Sequence, residues 1–401
     1  MIKKIAIKSF KSIENLELEL GRLNVFVGAN GSGKSNLLEA IGVLAAAADG
    51  KVNDQTLLQR GVRPGVPHLY KSAFASPDGR IPGHIWFSGS SSAANYAVSL
   101  NNPLNDSSPA WLYKHELLES GQTKLASRGP NMTHRPNNEA GLAALKAVEL
   151  QEDDPALALL RRLQSYVIYT PTTPVLRGVA PETQPRQPLG LSGGRLPEAV
   201  EELIIRVKEK RSPFTHVRDV LDQVIPLIGW AKKFAVGNAG ELLLSPAAQT
   251  TAKVVAFTDR FMAEGRNVLS GYDASEGALY VLFLAVLAAH PQAPSMMAID
   301  NADHGLNPGL AQRLMQSFAE WILADTKCER QILITSHNPA VLDGLPLQND
   351  AVRLFTVDRD NVGRSVVNRV VVNEKMLELA KKGWTLSRLW TNKLIGGMPN
   401  V

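Results

Sequence analysis

The chain has 401 residues, long enough for two or three domains or for one large domain with an insertion. A hydrophobic fraction of 44% supplies a core and excludes wholesale disorder, while 43 basic against 38 acidic residues leave a formal charge of +5 that permits a nucleic-acid partner without demanding one. The single cysteine, Cys328, excludes an internal disulfide and a thiolate metal cage and fits a reducing, cytoplasmic setting.

Period-two alternation at Ile5 and Ile7, and again at Leu16, Leu18 and Leu20, predicts two half-buried strands. Residues 23–27 are a short apolar run and predict a third strand. A loop follows from Gly28 to Gly33, and then Leu37, Leu38, Ile41 and Leu44 put one apolar face on a helix over 35–48. Residues 50–135 are rich in Gly, Pro, Ser and Asn and predict loops and strands, with strands at 84–87 and 96–100. A helix is expected over 139–164, a strand at 166–169 and a long loop or lid over 170–197, where prolines and glycines recur. Helices over 196–210 and 215–227 precede short strands at 242–244 and 253–257.

The last third alternates helix and strand: helices at 275–290 and 309–324, strands at 296–299, 331–334 and 352–357, then an amphipathic stretch over 374–390. That alternation predicts an α/β fold. The longest apolar segment, 281–289, falls short of the ~18 residues of a membrane span, and no apolar stretch follows the N-terminal lysines as in a signal peptide. No internal repeat and no sustained heptad pattern occur, so no long coiled coil is expected.

Gly28-Ala29-Asn30-Gly31-Ser32-Gly33-Lys34-Ser35 fits G-x-x-x-x-G-K-[ST] at every fixed position, after an apolar strand and opening a helix. Backbone N–H groups of Asn30, Gly31, Ser32 and Gly33 can approach phosphates there, and the helix N-terminus adds partial positive charge. Lys34 is expected to reach the β- and γ-phosphates and the Ser35 hydroxyl to coordinate Mg²⁺, with Asn36 completing the binding segment. ATP and Mg²⁺ are thus the expected cofactors. Residues 295–300 form an apolar strand ending in Asp300, the Walker B pattern, which would hold the Mg²⁺ directly or through water. One α/β unit later, Ile332-Leu333-Ile334-Thr335-Ser336-His337 would bring His337 near the γ-phosphate.

These motifs resemble those of ABC-type ATPases of the SMC/RecF branch, and particularly the small AAA-family ATPases related to the overcoming-lysogenization-defect (OLD) ATPases. The resemblance rests on Lys4-Ile5-Ala6-Ile7-Lys8-Ser9-Phe10-Lys11-Ser12-Ile13, on the phosphate loop with Asn36-Leu37-Leu38, on Ile299-Asp300-Asn301-Ala302-Asp303-His304-Gly305-Leu306-Asn307-Pro308, and on Ile334-Thr335-Ser336-His337-Asn338-Pro339. It implies an ABC-type ATPase head: a mixed sheet around the phosphate loop, a smaller antiparallel sheet and a helical insertion. The corresponding division is 1–110, an insertion at 111–235, and 236–401. It also implies a homodimer or higher oligomer closing on two ATP molecules, in a bacterial anti-phage or toxin-linked module whose effector, a nuclease or toxin, is encoded separately. No membrane partner is expected.

Such families carry a signature segment that reaches the partner subunit's γ-phosphate. Leu191-Ser192-Gly193-Gly194-Arg195 and Ala274-Ser275-Glu276-Gly277 compete for it. Only the second opens the helix that feeds the Walker B strand, so spacing favours Ser275, as helix cap and phosphate contact, and Gly277. The first then reads as a loop and cap before the helix at 196.

Relatives of this kind place a glutamate after the Walker B aspartate to polarise the attacking water; here Asn301 stands there. An amide cannot accept a proton but can orient water. Hydrolysis is therefore expected to be slow, to be gated by a partner, or to rely on Asp303.

OLD-type nucleases continue into an acidic Toprim domain, for which the residues after His337 leave too little room. Asp358-Arg359-Asp360 reads as a turn completed by Asn361 and Gly363 rather than as a metal site. The eight histidines show no metal spacing. Basic residues from Arg353 to Lys393 read as a solvated face that could also track DNA or RNA phosphates, and Trp384, Leu386, Leu389 and Trp390 among them as packing. The rival functions are an ATP-stabilised scaffold that hardly hydrolyses, an OLD-like nuclease and a transporter ATPase subunit.

Overall fold

The computed structural model describes residues 1–74, 81–129, 137–208, 215–241 and 251–397. In chain order the strands are β1 (Lys4–Phe10), β2 (Ile13–Glu19), β3 (Leu23–Gly28), β4 (His84–Ser90), β5 (Ala94–Asn101), β6 (Leu112–Ser120), β7 (Thr123–Arg128) and β8 (Ile168–Tyr169). They continue with β9 (Ala231–Asn238), β10 (Lys253–Asp259), β11 (Val268–Ser270), β12 (Met296–Ile299), β13 (Gln331–Ser336), β14 (Val352–Arg359) and β15 (Ser365–Val370). They form three sheets. One is antiparallel, in the order β2-β1-β4-β5-β6-β7; a three-stranded one runs β11-β10-β9. The central sheet runs β15-β14-β3-β13-β12-β8, parallel except for β15 on its edge. The fold is thus α/β with mixed and antiparallel sheets, as the motifs implied.

The central strands separate two cores. Leu23, Val25 and Val27 of β3, with Ile332 and Ile334 of β13, face one core; Phe26 and Leu333 face the other, where Phe26 stacks on Phe355 at 4.9 Å. A parallel strand covered on both faces reads as a continuous apolar run, as 23–27 does.

The helix Lys34–Ala48 lies between the central sheet and the first antiparallel sheet. The sequence predicts one buried face, but the structure buries 13 of its 15 residues. Layers on both sides require this, and small residues permit it: a Cβ on Gly42 would lie 2.2 Å from Val62 Cγ2. On the opposite core, all of Glu276–Ala289 except Glu276 is buried. Arg330 donates to the carbonyls of Ala288 (2.9 Å) and His290 (2.6 Å), fastening the end of that helix to the start of β13.

Residues 111–235, expected as a helical and loop insertion, contribute strands to all three sheets. β6 and β7 extend the first sheet, β8 edges the central one, and β9 begins the third. The single helix expected over 139–164 is two, Leu142–Ala147 and Pro155–Gln164; Asp154 caps the second by accepting from Ala156 N at 2.7 Å. The stretch 170–197, expected as a long loop or lid, holds a short helix, Thr173–Leu176, and a loop pinned to the fold. The Glu182 carboxylate accepts from the backbone of Gln184, Ser192 and Gly194 at 2.9–3.0 Å, and Leu189 and Leu191 are buried. Two short helices, Glu374–Lys381 and Leu386–Thr391, replace the continuous stretch 374–390, with Gly383 at φ +81° between them. The strand expected at 242–244 lies outside the described residues.

The longest helix among the described residues is Pro308–Ala324, so no long coiled coil occurs there. None of the described helices is long and apolar enough to cross a membrane.

Candidate functional site

Because β3, β13 and β12 are parallel neighbours, the loops after them meet at one edge of the sheet. The loop after β3 is the phosphate loop. Lys34 is 5% exposed and donates from Nζ to the carbonyls of Gly28 and Ala29, both at 2.9 Å. An ammonium has three donors, so one remains for an anion. Burial pushes its pKa down to about 8, against the opposing pull of Asp300 and Asp303.

Gly33 is the helix N-cap at φ +109° and provides no side-chain cap, which leaves the first-turn N–H groups without that partner. No other residue fits there: a Cβ would lie 2.0 Å from Ser365 Oγ and 2.9 Å from Ser12 Oγ. Those two serines brace the loop. Ser365 Oγ donates to Ser32 O at 2.6 Å, lies 2.7 Å from Ser12 Oγ, and Asn36 Nδ2 reaches Ser12 Oγ at 2.7 Å. Asn36, expected to touch the nucleotide, thus uses its side chain for this brace, because Ser12 lies within its reach. Ser12 lies in the N-terminal segment that carries the family resemblance, but nothing local pairs it with Ser365, 353 residues away.

Ser35 Oγ donates to Asp300 Oδ2 at 2.9 Å, which joins the two halves predicted from sequence. The second oxygen, Oδ1, accepts from Thr335 Oγ1, and Thr335 Oγ1 accepts from Asn301 N at 2.9 Å. Thr335 therefore fixes both Asp300 and the position after it, a role not read from the motif. Asn301 sits at φ +54°, a left-handed conformation that asparagine tolerates better than glutamate. Asp303 Oδ2 accepts from His337 N (3.2 Å) and Asn338 N (2.9 Å), whereas Oδ1 is buried without a partner.

An open cleft of about 840 Å³ gathers Asn30, Asn301, Asp303, His337 and Trp390. Burial and the Lys34 charge hold the His337 imidazole below its usual pKa, against Asp303 and a backbone hydrogen bond at Gly28. The ring is therefore neutral at pH 7.

Ser275 and Gly277 do not line this cleft. Ser275 is exposed at the N-cap of Glu276–Ala289, but its side chain makes no capping bond; its Oγ accepts from Trp230 Nε1 at 3.2 Å. The expected cap is thus replaced by a contact to the indole. Gly277 is buried, and a Cβ there would lie 2.8 Å from Leu310 Cδ2, so it allows helix approach. In the competing segment, the N–H groups of Ser192 and Gly194 are already bonded to Glu182. Asp358 and Asp360 belong to the β14–β15 hairpin. Asp360 Oδ1 accepts from Val362 N and Arg364 N at 2.9 and 2.8 Å, and Asp358 Oδ2 from Gly397 N.

The donor set fits a magnesium triphosphate: a spare ammonium proton, an uncapped helix start, and a hydroxyl–carboxylate pair at hydrogen-bond distance. Among the described residues no group of three or more His, Cys, Asp or Glu side chains could hold a metal by itself. Magnesium commonly takes one or two protein ligands and completes its shell with phosphate and water.

Residues 23–343 match the family described as an AAA domain, putative AbiEii toxin, type IV toxin–antitoxin system. The chain belongs to this family. It is an ABC-type ATPase family of the SMC/RecF kind. A DNA replication and repair protein RecF of Listeria monocytogenes is 35% identical over 85 residues, 21% of this chain and 20% of that protein. Structural maintenance of chromosomes protein 6 of Saccharomyces cerevisiae is 45% identical over 65 residues, 16% of this chain and 6% of that protein. The chain thus spans a fifth or less of the length of these relatives. An Smc head, solved bound to the C-winged helix domain of ScpA, aligns with a TM-score of 0.54 at 13% identity over 94% of this chain and 99% of that one; the two share a fold.

Proposed function

We propose that the chain is an ATP-driven switch. It binds ATP at residues 28–36, closes as a homodimer around two nucleotides, and opens on slow hydrolysis. The observation that carries this is the Ser35–Asp300 hydrogen bond, which brings the phosphate loop and the Walker B strand end into one site. Lys34 would hold the β- and γ-phosphates with its remaining proton, and the Gly31 to Ser35 backbone would surround them. Ser35 and Asp300 would hold Mg²⁺, which when bound offsets phosphate charge.

Asn301 would orient the attacking water without taking its proton. Asp303 would accept it, a reading that its one buried oxygen without a partner supports, and neutral His337 would donate to the γ-phosphate region. Ser275 would approach the partner subunit's nucleotide; its exposure supports this. As the resemblance to OLD-type ATPases implies, the dimer would control a separately encoded toxin or nuclease in anti-phage defence, with DNA or RNA as a further partner; the type IV toxin–antitoxin system in the family description supports the toxin-linked part of this reading. Residues 1–110 and 236–401 would form the head, with 111–235 threaded through it.

Phosphate release by the purified protein, together with its mass with and without ATP, tests this. Turnover with an ATP-dependent dimer is expected. A strict monomer at saturating ATP would sink the sandwich. ATP-dependent dimerisation with no phosphate release, even with DNA, would favour the ATP-stabilised scaffold, which Asn301 supports.

A further inference from the structure

The C-terminal segment crosses the phosphate loop, and it is anchored on both sides of the crossing. On one side Ser387 donates from N (2.8 Å) and Oγ (2.6 Å) to the two oxygens of Asp343, docking the helix Leu386–Thr391 behind the turn after β13. On the other side Gly397 N donates to Asp358 Oδ2 at 2.8 Å. Between the anchors, Trp390 is 3% exposed, its indole N–H has no partner, and the ring lines the same cleft as Gly28, Ala29 and His337. Lys393 lines a second cleft, about 550 Å³, with Asn30, Gly31 and Ser32. Both clefts include Ala29 and Asn30, so Trp390 and Lys393 straddle the outer arch of the loop.

Lys393 occupies an unusual backbone position. Lys393 N donates to Trp390 O and Leu394 N to Leu389 O, both at 2.9 Å, which closes the helix in a Schellman motif. That closure puts residue 393 at φ +59°, where glycine is favoured. A lysine there gives up local stability, and its exposed ammonium makes no ion pair among the described residues. Beside it, Arg359 donates to the carbonyls of Gly31 and Gly363 and not to a carboxylate. The acids in this cleft, Asp358 and Asp360, accept from backbone N–H groups. Two cations therefore face the outside of a loop that already offers its inner side to an anion.

We propose that Lys393 is a nucleotide-binding residue supplied in cis, its ammonium reaching triphosphate oxygens from the outer side of the loop, and that Trp390 walls the adjacent cleft so that its indole senses occupancy. This rests on ATP occupying the phosphate loop as proposed above.

The test separates strain from ligand contact. Lys393→Gly removes the backbone strain and the ammonium together; Lys393→Arg keeps the charge. Calorimetry should show ATP bound about tenfold more weakly by Lys393→Gly and restored by Lys393→Arg, the size expected for one charge-assisted hydrogen bond. The melting temperature of Lys393→Gly should be equal or higher. MgATP should change tryptophan emission in the wild type and change it less in Trp390→Phe, where Trp230 beside Ser275 leaves a residual response on dimer closure. Unchanged ATP affinity in Lys393→Gly, or emission responses that are the same with and without Trp390, would overturn the proposal. Failure of the wild type to bind ATP in the same calorimetry would overturn the nucleotide reading as well, and the variants are not needed to see it.

Discussion

Around Lys34 the chain supplies its own surroundings. The loop carbonyls hold the ammonium, Ser12 and Ser365 brace the backbone, and Asp300 meets Ser35. Around Ser275 it does not: the side chain is exposed, its neighbour is an indole, and it lines none of the cleft beside the loop. A strand, a glycine loop and a helix N-terminus make an anion site wherever they occur in sequence. A helix N-terminus at the surface needs a second surface before it has anything to act on.

The largest effect should come from Lys34→Ala. Removing the only cation buried in the loop should weaken ATP binding by about a hundredfold or more by calorimetry. Wild-type affinity in that variant would mean that the loop is not the site. Ser275→Arg is the counterpart. It should leave ATP binding by one chain intact while cutting turnover about a hundredfold and abolishing the ATP-dependent dimer. Loss of binding instead would place Ser275 in the same site as Lys34 and erase the contrast.

Asn301→Glu should raise the basal rate about tenfold or more by adding a base. It should also cost about 1 kcal/mol of stability, because glutamate tolerates φ +54° less well than asparagine. An unchanged rate in a folded variant would argue against this position facing the water.

A milder effect is expected from pH. With the free-site Lys34 pKa near 8, phosphate binding favours the charged form. Above that pH the ammonium must be reprotonated on binding, so ATP affinity should fall by up to about tenfold per pH unit. A flat profile between pH 7 and 9.5 would contradict the buried, phosphate-facing lysine. Smallest of all, Ser192→Ala should leave turnover within about twofold, since the backbone of that segment is already bonded to Glu182. A large loss there would return the signature role to residues 191–195.

Much of the site was legible before the fold. The loop 28–35, Asp300 and His337 each sit at the end of an apolar strand, and parallel pairing of those strands brings the ends together. The division of the chain was less legible. β6, β7 and β9 carry lysines, glutamates and serines on half-exposed faces, which blurs the alternation that marks a strand. The helix Lys34–Ala48 misleads in the other direction: Leu37, Leu38, Ile41 and Leu44 mark one apolar face, yet the alanines and the glycine on its other faces are buried between two sheets as well.

By itself the sequence determined the phosphate loop, its strand and helix, the Walker B end and the absence of an internal disulfide, because each depends on neighbours within a few residues or on composition alone. Only the tertiary structure decided the rest: that Ser12 and Ser365 hold the loop, that Thr335 orients Asp300, that Asn36 braces rather than faces outward, and that Trp390 and Lys393 stand beside the loop. Hydrogen bonds form between groups that are close in space, and sequence spacing carries no record of partners that lie hundreds of residues apart.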